Sequence, residues 1–299
     1  MGNEGRDLRT ESAKLSPIVS RASCSEYGDA GSTRVVEAGG VRFGNDRPVI
    51  IAGPCAVESR AQMLEVARAV KQCGADMLRG GAFKPRTSPY EFQGLGKEGL
   101  EILAEARAET GLPVVTEVMD VRLVELVSQY ADMLQIGSRN MQCYPLLVEV
   151  GRSGMPVLLK RGMAASLLEW LGAAEYVAKE GNRDILLCER GIRTSAGGEY
   201  SRFTLDLNVI AAVRALTYLP VIVDPSHATG DPGMVPLASR AAIEFGAHGL
   251  IIEVIGENTD RASVRCDGFQ GIRPSVLQQL IRAIRQRSGQ GEQALSRPA

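Results

Sequence analysis

The feature of this sequence that most restricts its fold is a repeated alternation between two kinds of segment. Short apolar runs alternate with longer amphipathic stretches such as residues 61–73, 98–110 and 167–180. The eight apolar runs are residues 48–52, 77–79, 113–118, 133–136, 156–160, 185–188, 220–223 and 249–254. Continuous apolar runs are typical of strands that are buried on both faces. The pattern therefore favours a (β/α)8 TIM barrel over an open, doubly wound sheet.

The two ends of the chain lack this pattern. Residues 1–32 and 288–299 are polar or rich in Gly, Gln and Ser, without sustained periodicity, so we predict a flexible N-terminal tail and a flexible C-terminal tail. Residues 33–287 are then expected to form one catalytic barrel domain. A short hairpin that turns at Gly39 and Gly40 is expected before the first barrel strand.

The composition excludes several functional classes. The chain has 34 Lys and Arg against 35 Asp and Glu, a net charge of −1, which argues against nucleic-acid or membrane binding. No apolar run has the length of a membrane span or the position of a signal sequence, so a cytoplasmic location is expected. The six cysteines are scattered and contain no Cys-x-x-Cys pair, which favours reduced thiols.

Polar side chains follow every predicted strand. In a parallel barrel the functional residues lie at the carboxyl ends of the strands or in the loops that follow them. In chain order, the residues at these places are Cys55, Arg79, Lys84, Arg86, Thr87, Glu117, Arg139, Lys160, Arg190, Asp224, His227, Glu253 and Asp267. Stability alone does not require this sorting, so it predicts a functional site at the carboxyl end of the barrel.

Six of these residues are cations that would converge on one opening: Arg79, Lys84, Arg86, Arg139, Lys160 and Arg190. Two such charges ~6 Å apart repel by roughly 3 kcal/mol at an effective dielectric constant near 20. Glu117, Asp224 and Glu253 offset only part of this repulsion. The remaining positive field predicts an anionic ligand, and phosphate or carboxylate suits the geometry of arginine. The alternative is that each cation pairs with a separate surface carboxylate.

Four residues of mixed chemistry are candidate metal ligands: Cys55, His227, Glu253 and Asp267. Sulfur, nitrogen and oxygen donors together suit a divalent ion without distinguishing Mn, Fe, Zn and Co. Taken alone, Cys55 is more simply interpreted as a buried core thiol. The other histidine, His248, precedes the eighth strand, and we interpret it as a structural residue at the opposite end of the barrel.

Five motifs carry a family resemblance. They are Ile-Ala-Gly-Pro-Cys at 51–55, Lys-Pro-Arg-Thr-Ser-Pro-Tyr at 84–90, Ile-Gly-Ser-Arg-Asn at 136–140, Cys-Glu-Arg-Gly-Ile-Arg-Thr at 188–194 and Asp-Pro-Ser-His at 224–227. Between about residues 35 and 285 the chain resembles the 3-deoxy-D-arabino-heptulosonate 7-phosphate (DAHP) synthases. The resemblance is to the short type I group, which is related to 3-deoxy-D-manno-octulosonate 8-phosphate synthase.

The resemblance implies a cytoplasmic barrel transferase with a divalent metal cofactor. Such an enzyme condenses phosphoenolpyruvate with erythrose 4-phosphate and releases phosphate, in the first step of the shikimate pathway to the aromatic amino acids. The family also suggests a homo-oligomer, a dimer or a tetramer.

The resemblance also implies roles for individual residues. It makes Cys55, His227, Glu253 and Asp267 the metal ligands. It assigns phosphoenolpyruvate to Arg79, Lys84, Arg139, Lys160 and Arg190, and the sugar phosphate to Arg86 and Thr87. For catalysis we expect Lys84 to transfer a proton, and Glu117 or Asp224 to orient the attacking water.

Three features depart from the family pattern near the last strand. Ile255 and Gly256 stand where many relatives have His-Pro, the loop that leads to Asp267 is longer than is typical, and Cys266 stands where Ser is expected. These changes border the aldose end of the expected site and leave the choice of aldose open.

Three alternative functions follow. One is a paralogue in secondary metabolism that uses a modified tetrose phosphate. Another is the octulosonate 8-phosphate synthase, whose usual Lys-Ala-Asn-Arg-Ser-Ser stretch is replaced here by the Lys-Pro-Arg-Thr of residues 84–87. The third is a non-catalytic barrel that binds a partner enzyme, which needs neither the cations nor the metal ligands.

Overall fold

The structure, a computed structural model, describes residues 7–295 except 28–31, 46, 196–197 and 199–200. The strands are β1 (Val36–Ala38), β2 (Val41–Phe43), β3 (Val49–Gly53), β4 (Met77–Arg79), β5 (Val114–Glu117), β6 (Met133–Ile136), β7 (Val157–Lys160), β8 (Ile185–Glu189), β9 (Val221–Val223) and β10 (Gly249–Glu253). The α-helices are α1 (Leu8–Leu15), α2 (Arg60–Cys73), α3 (Lys97–Thr110), α4 (Val124–Ser128), α5 (Tyr144–Arg152), α6 (Leu167–Lys179), α7 (Asn208–Leu216), α8 (Pro225–Thr229), α9 (Val235–Glu244) and α10 (Pro274–Leu295).

Strands β3 to β10 form a closed barrel. Each strand pairs in parallel with the next one in the chain, and β10 pairs back to β3. Ile51 of β3, for example, is in register with Met77 on one side and Ile251 on the other. Helices lie between successive strands, so the predicted (β/α)8 barrel is confirmed.

The strands are buried on both faces, which explains their continuous apolar sequence. One face packs inside the barrel, where Ile51, Met77 and Met133 belong to an inner core. The other face packs on the surrounding helices, where Ile50 and Leu134 belong to the main core. Because side chains alternate along a strand, the residues two positions apart share a face.

The predicted hairpin is also confirmed, and it lies under the barrel. β1 and β2 pair antiparallel around Gly39 and Gly40, whose φ angles of 55° and 82° suit a tight two-residue turn. Val36 and Phe43 of the hairpin are fully buried in the same inner core as the inward-facing strand residues. The hairpin therefore covers the amino-terminal end of the barrel.

The segment that was expected to be an N-terminal tail differs from that expectation where it is described. α1 lies against α6 and α7, and Val19 is fully buried. The carboxylate of Glu175, on α6, accepts the backbone N–H groups of Ile18 and Val19 at 2.8 and 3.0 Å. These anchors involve residues far away in the chain, so local composition does not reveal them. Residues 1–6 and 28–31 of the expected tail lie outside the described residues.

Residues 288–299 were predicted to form a flexible C-terminal tail, and this stays a prediction. The helix α10 is described from Pro274 to Leu295, although Gly289 and Gly291 are poor helix formers. Residues 296–299 lie outside the described part of the chain. Among the helices that the structure describes, none has both the length and the apolar character needed to cross a bilayer.

Arg21 provides a test of how firmly the N-terminal segment is attached. Its buried guanidinium donates hydrogen bonds to the carbonyl oxygens of Tyr27, Thr217 and Arg214 at 2.7, 2.9 and 3.2 Å. We expect Arg21→Ala to lower the free energy of unfolding by about 2–4 kcal/mol, because buried carbonyl groups lose their donors. Urea denaturation at constant m-value measures this change. The exposed Arg9 is the matched control, and an equally small effect of Arg21→Ala and Arg9→Ala would contradict the anchoring.

Candidate active site

The alternation along the strands places a ring of polar side chains above the inner core. On each strand from β4 to β10, the residue two positions after the last inner-core residue is polar and buried. These residues are Arg79, Glu117, Gln135, Lys160, Arg190, Asp224 and Glu253. Gln135 was not predicted, although a polar residue inside the apolar run of β6 was a usable signal. The ring lies at the carboxyl end of the barrel.

A cavity of about 480 Å³ opens at this end. All seven residues that were expected to hold substrates lie on its wall: Arg79, Lys84, Arg86, Thr87, Arg139, Lys160 and Arg190. Glu117, His227 and Asp267 line it as well. Two further cations, Arg193 and Arg202, line the cavity and were not predicted. They lie in the long segment between β8 and α7, which has no periodic pattern to indicate their direction.

Arg79 is held as a buried donor with unused hydrogen-bonding capacity. Its Nη2 lies 3.3 Å from Glu253 Oε1 and 3.4 Å from the carbonyl oxygen of Cys55. Its Nε and Nη1 atoms are buried and have no hydrogen-bond partner in the described structure. An unsatisfied buried donor costs about 1–3 kcal/mol. An anion in the cavity would satisfy these groups, so the arrangement suits anion binding.

The four candidate metal ligands come together on one side of the cavity. One donor atom each from Cys55, His227, Glu253 and Asp267 lies within 4.8 Å of all the others. His227 Nε2 is 3.1 Å from Glu253 Oε1, and Cys55 Sγ is 3.7 Å from Asp267 Oδ2. His227 and Asp267 line the cavity, whereas Cys55 and Glu253 line a second cavity of about 310 Å³ whose wall also includes Asp267.

The histidine is oriented in the way a metal ligand requires. Its Nδ1 lies 2.7 Å from Asp224 Oδ2, and an ionised carboxylate only accepts, so Nδ1 carries the proton. The lone pair of Nε2 then faces Glu253 Oε1, a buried oxygen without a hydrogen-bond partner among the described residues. Two acceptors in contact favour a cation between them. The residues present therefore fit a divalent ion.

Glu253 is further held by Gln270, which was not predicted. Gln270 Nε2 donates to Glu253 Oε2 at 2.6 Å, which leaves Oε1 directed at His227. Gln270 Oε1 accepts from Arg202 Nη1 at 3.0 Å, and Arg202 also lies 3.6 Å from Asp267 Oδ1. Two candidate ligands are thus oriented by one hydrogen-bonded network, as is usual around metal ligands.

Burial changes the protonation of this cluster. It raises the pKa of Glu253 to about 7 and lowers the pKa of His227. Burial also opposes ionisation of Asp224, but the neighbouring His227 and Lys160 outweigh it and keep the pKa of Asp224 well below its usual value. Asp224 therefore stays ionised between a histidine and a lysine.

Cys55 lies between a lysine and a second thiol. Its Sγ is 3.2 Å from Lys84 Nζ and 3.2 Å from Cys266 Sγ. The hydrogen bond with Cys266, together with burial, raises the pKa of Cys55. A metal ion that binds Cys55 as thiolate must therefore displace a proton. Arg86 Nη1 donates to Cys266 Sγ at 3.1 Å, which joins the aldose side of the cavity to this cluster.

His248 lies away from the site, as its position in the sequence indicated. It precedes β10, and its Nδ1 accepts the backbone N–H of Val221 at 3.1 Å. The imidazole thus supports the contact between β9 and the residue before β10 at the amino-terminal end of the barrel.

The fold and the site define a barrel enzyme for anionic substrates, with a cluster suited to a divalent metal. The chain matches the DAHP synthetase I family over residues 25–292 and belongs to that family. It is 45% identical over 251 residues to the phospho-2-dehydro-3-deoxyheptonate aldolase of Thermotoga maritima, covering 84% of this chain and 73% of that protein. It is 37% identical to the 2-dehydro-3-deoxyphosphooctonate aldolase of Syntrophotalea carbinolica, covering 78% of this chain and 88% of that protein.

The likeness extends to three dimensions. The structure matches the crystal structure of the DAHP synthase from Thermotoga maritima with a TM-score of 0.83 at 43% sequence identity. The match covers 91% of this chain and 76% of that one.

The protonation of Glu253 leads to a prediction about metal binding. Below a pKa of about 7 the carboxyl group holds a proton that a metal ion must displace, so affinity should fall as the solution becomes more acidic. We expect the displacement of this one proton to raise the dissociation constant for Mn²⁺ by roughly fivefold between pH 7 and pH 6. Calorimetric titration in buffers of different ionisation enthalpy measures both the affinity and the proton release.

The matched variants for this titration are Glu253→Gln and Glu91→Gln. Glu91 also lines the cavity but lies outside the four-ligand cluster. Glu253→Gln should weaken Mn²⁺ binding and reduce the pH dependence, whereas Glu91→Gln should leave both close to the parent values. Equal affinities for the parent and Glu253→Gln would show that this carboxylate does not bind the ion.

Proposed function

We propose that this chain is a metal-dependent DAHP synthase, a transferase that condenses phosphoenolpyruvate with erythrose 4-phosphate and releases phosphate. The observation that carries the proposal is that one cavity is lined both by many cations and by part of the candidate metal cluster. Cations cover much of its wall, and His227 and Asp267 of the four-ligand cluster lie on the same wall. An anion pair and a Lewis acid can therefore meet in one space. The family membership supports this reaction.

Phosphoenolpyruvate is assigned to the deeper part of the cavity. Arg79, Lys84, Lys160 and Arg190 are all buried, and their positive charge suits a ligand with both a phosphate and a carboxylate. Arg190 is also fixed in direction, because its guanidinium lies 4.2 Å from the centre of the Phe203 ring. Arg139, which is exposed, would close over the ligand from the rim.

The sugar phosphate is assigned to Arg86 and Thr87 nearer the surface. Thr87 is exposed, and Arg86 is only partly buried and pairs with Glu91. A phosphate would displace Glu91 from Arg86 or share the guanidinium with it. The two anions would then be held at reacting distance by separate groups, which lowers the entropic cost of their encounter.

Cys55, His227, Glu253 and Asp267 would hold the metal ion, which when bound polarises the aldehyde oxygen of the aldose. The carbon–carbon bond forms between C3 of phosphoenolpyruvate and C1 of the aldose. Water adds at C2, and the bond between C2 and the phosphate oxygen then breaks. The native ion is proposed to be one of Mn, Fe, Zn or Co, since the donor set accepts all of them.

Protein side chains supply the proton transfers. Burial disfavours the charge on Lys84, but the sulfur atoms of Cys55 and Cys266 and the carboxylate of Glu117 outweigh it and raise the pKa of Lys84. Lys84 is thus an ammonium group at the reacting centre and is proposed to donate and recover a proton. Glu117, which accepts from Gln135 Nε2 at 3.3 Å, is proposed to orient the water.

Asp224 is proposed to act mainly through its neighbours. It is completely buried and does not line the cavity, and it contacts both Lys160 Nζ and His227 Nδ1. Its ionised carboxylate would therefore fix a substrate-binding cation and a metal ligand together. Water orientation falls to Glu117, which does line the cavity.

The reaction implies where the protein acts. As the entry step of the shikimate pathway it supplies the aromatic amino acids, and we propose a cytoplasmic homo-oligomer, a dimer or tetramer, on the basis of the family.

Phosphate release tests the activity directly. We expect release from phosphoenolpyruvate only when erythrose 4-phosphate and a divalent metal are both present, and loss of release on adding a chelator. Cys55→Ala should lose most of the metal-dependent rate, whereas Cys143→Ala, a half-buried thiol at the start of α5, should keep it. Faster release with arabinose 5-phosphate would assign the chain to octulosonate synthesis instead, and release without any aldose would exclude a synthase.

The two anion sites predict a division of kinetic effects. Arg86→Ala should raise the KM for erythrose 4-phosphate by about tenfold or more, while the KM for phosphoenolpyruvate changes little, since an arginine–phosphate contact is lost on one side only. Arg190→Ala should show the reverse pattern. Steady-state kinetics with each substrate varied in turn measure both constants. Equal effects of both variants on both substrates would contradict separate sites.

A further inference from the structure

The candidate metal cluster borders two cavities of opposite charge. Eight cationic side chains line the cavity of about 480 Å³ that is assigned to the substrates, against three carboxylates, Glu91, Glu117 and Asp267. The second cavity, of about 310 Å³, has the reverse balance. Its wall carries one cation, Arg265, and four carboxylic side chains, Glu58, Glu65, Glu253 and Asp267. A cation and an anion that approach the cluster are therefore favoured on different sides of it.

The second cavity leads from the surface to the candidate ligands. It lies between the loop that joins β3 to α2 and the loop that joins β10 to α10. Its wall includes the exposed residues Ser59, Glu65 and Ser263, so it opens to solvent. The same wall includes three of the four candidate ligands, Cys55, Glu253 and Asp267. An ion in this cavity would thus meet sulfur and oxygen donors without passing through the space assigned to the substrates.

The inner end of the second cavity holds an acceptor that lacks a donor. Glu253 lines this cavity and is buried, and its Oε1 has no hydrogen-bond partner among the described residues. This oxygen lies 3.1 Å from His227 Nε2, which is an acceptor as well because the proton is on Nδ1. A cation satisfies both atoms. The negative wall therefore ends at a place where a cation is stabilised.

The one cation on this wall is directed elsewhere. The guanidinium of Arg265 lies 3.9 Å from the centre of the Phe92 ring, and Phe92 does not line the second cavity. Glu58 Oε1 accepts the backbone N–H groups of Arg265 and Cys266 at 3.0 Å, which fixes the two loops that form the cavity. The carboxylates thus face the cavity from a wall that is held in place.

The outer part of the cavity depends on a glycine. Gly256, one of the positions where the sequence departs from the family pattern, lines the cavity together with Glu65 and Thr259. A Cβ atom at position 256 would clash with the carboxylate of Glu65 and the hydroxyl group of Thr259. The glycine therefore allows two oxygen-bearing side chains to approach the backbone at the solvent side of the cavity.

We propose that the divalent ion reaches the cluster through the second cavity, where Glu65 attracts it from solvent. In the substrate cavity the eight cations exceed the three carboxylates by five charges, so a dication that entered there would be repelled. A wall of opposite charge instead raises the local concentration of the ion and its rate of association. Metal and anionic substrates then do not compete for one opening. The inference rests on the proposed metal site and does not require turnover.

The test measures the rate at which Co²⁺ binds to the full chain after a chelator has removed metal and has itself been removed. Stopped-flow absorbance in the near ultraviolet follows the Co²⁺–thiolate bond that Cys55 would form. Glu65→Lys should slow association by about threefold or more at low ionic strength, and Glu65→Gln should give an intermediate rate. High salt should reduce both differences, because it screens exposed charges. The dissociation constant should change less than the association rate, since Glu65 is not one of the four ligands.

Two variants serve as matched controls. Glu125→Lys makes the same change of charge at an exposed position on α4 that lines neither cavity, so it should keep the parent rate. Arg139→Glu places a negative charge at the exposed rim of the substrate cavity. If the ion enters through the second cavity, this variant should stay within about twofold of the parent rate.

Two kinetic results would overturn the proposal. One is association of Co²⁺ with Glu65→Lys at the parent rate, and the other is faster association with Arg139→Glu, which would assign the ion to the substrate cavity. The absence of a Co²⁺–thiolate band in the parent protein would overturn the metal assignment and the route together. Loss of phosphate release with unchanged Co²⁺ kinetics would count against the proposed reaction and leave the route supported.

Discussion

Eight parallel strands in a closed barrel all end at the same rim, and this constraint decides where the chemically active side chains lie. Along each strand the side chains alternate between the inner core and the helices. The inward position after the last inner-core residue lies above that core at the carboxyl end of the barrel, where most of these side chains line the cavity. In this chain it is polar on every strand from β4 to β10. The inner core thus serves as a floor for the site.

The same geometry brings several buried cations close together, and ion pairs with buried carboxylates offset their repulsion. Arg79 is balanced by Glu253, and Lys160 by Asp224, within the buried ring. Deeper in the wall, Arg161 is balanced by Glu189 and Asp206 at 3.0 and 2.9 Å. Breaking one member of such a pair leaves a buried charge without compensation, which costs far more than a surface ion pair contributes. Binding groups and their counter-charges are therefore interdependent.

Much of this architecture could be predicted from the sequence, because periodicity and strand ends are local signals. The barrel, the hairpin and the polar strand ends follow from them. What could not be predicted depends on contacts between distant residues. Arg21 is anchored by carbonyl groups near residue 217. Gln270 donates to Glu253 from the loop that follows β10, and Cys266 meets Cys55 across a sequence separation of 211 residues. The segment between β8 and α7 has no periodic sequence pattern, so the sequence did not indicate that the Arg202 side chain points into the cavity.

The β1–β2 hairpin at the amino-terminal end of the barrel affects how substrates and products enter and leave the cavity. With Val36 and Phe43 packed beneath the inner core, the barrel in the described part of the chain has a floor and no through-passage. A molecule that is bound at the bottom of the cation-lined cavity is trapped by whatever occupies the space above it. Substrates and products then pass through the same opening of the cavity. The order in which substrates bind therefore also limits the order in which products are released.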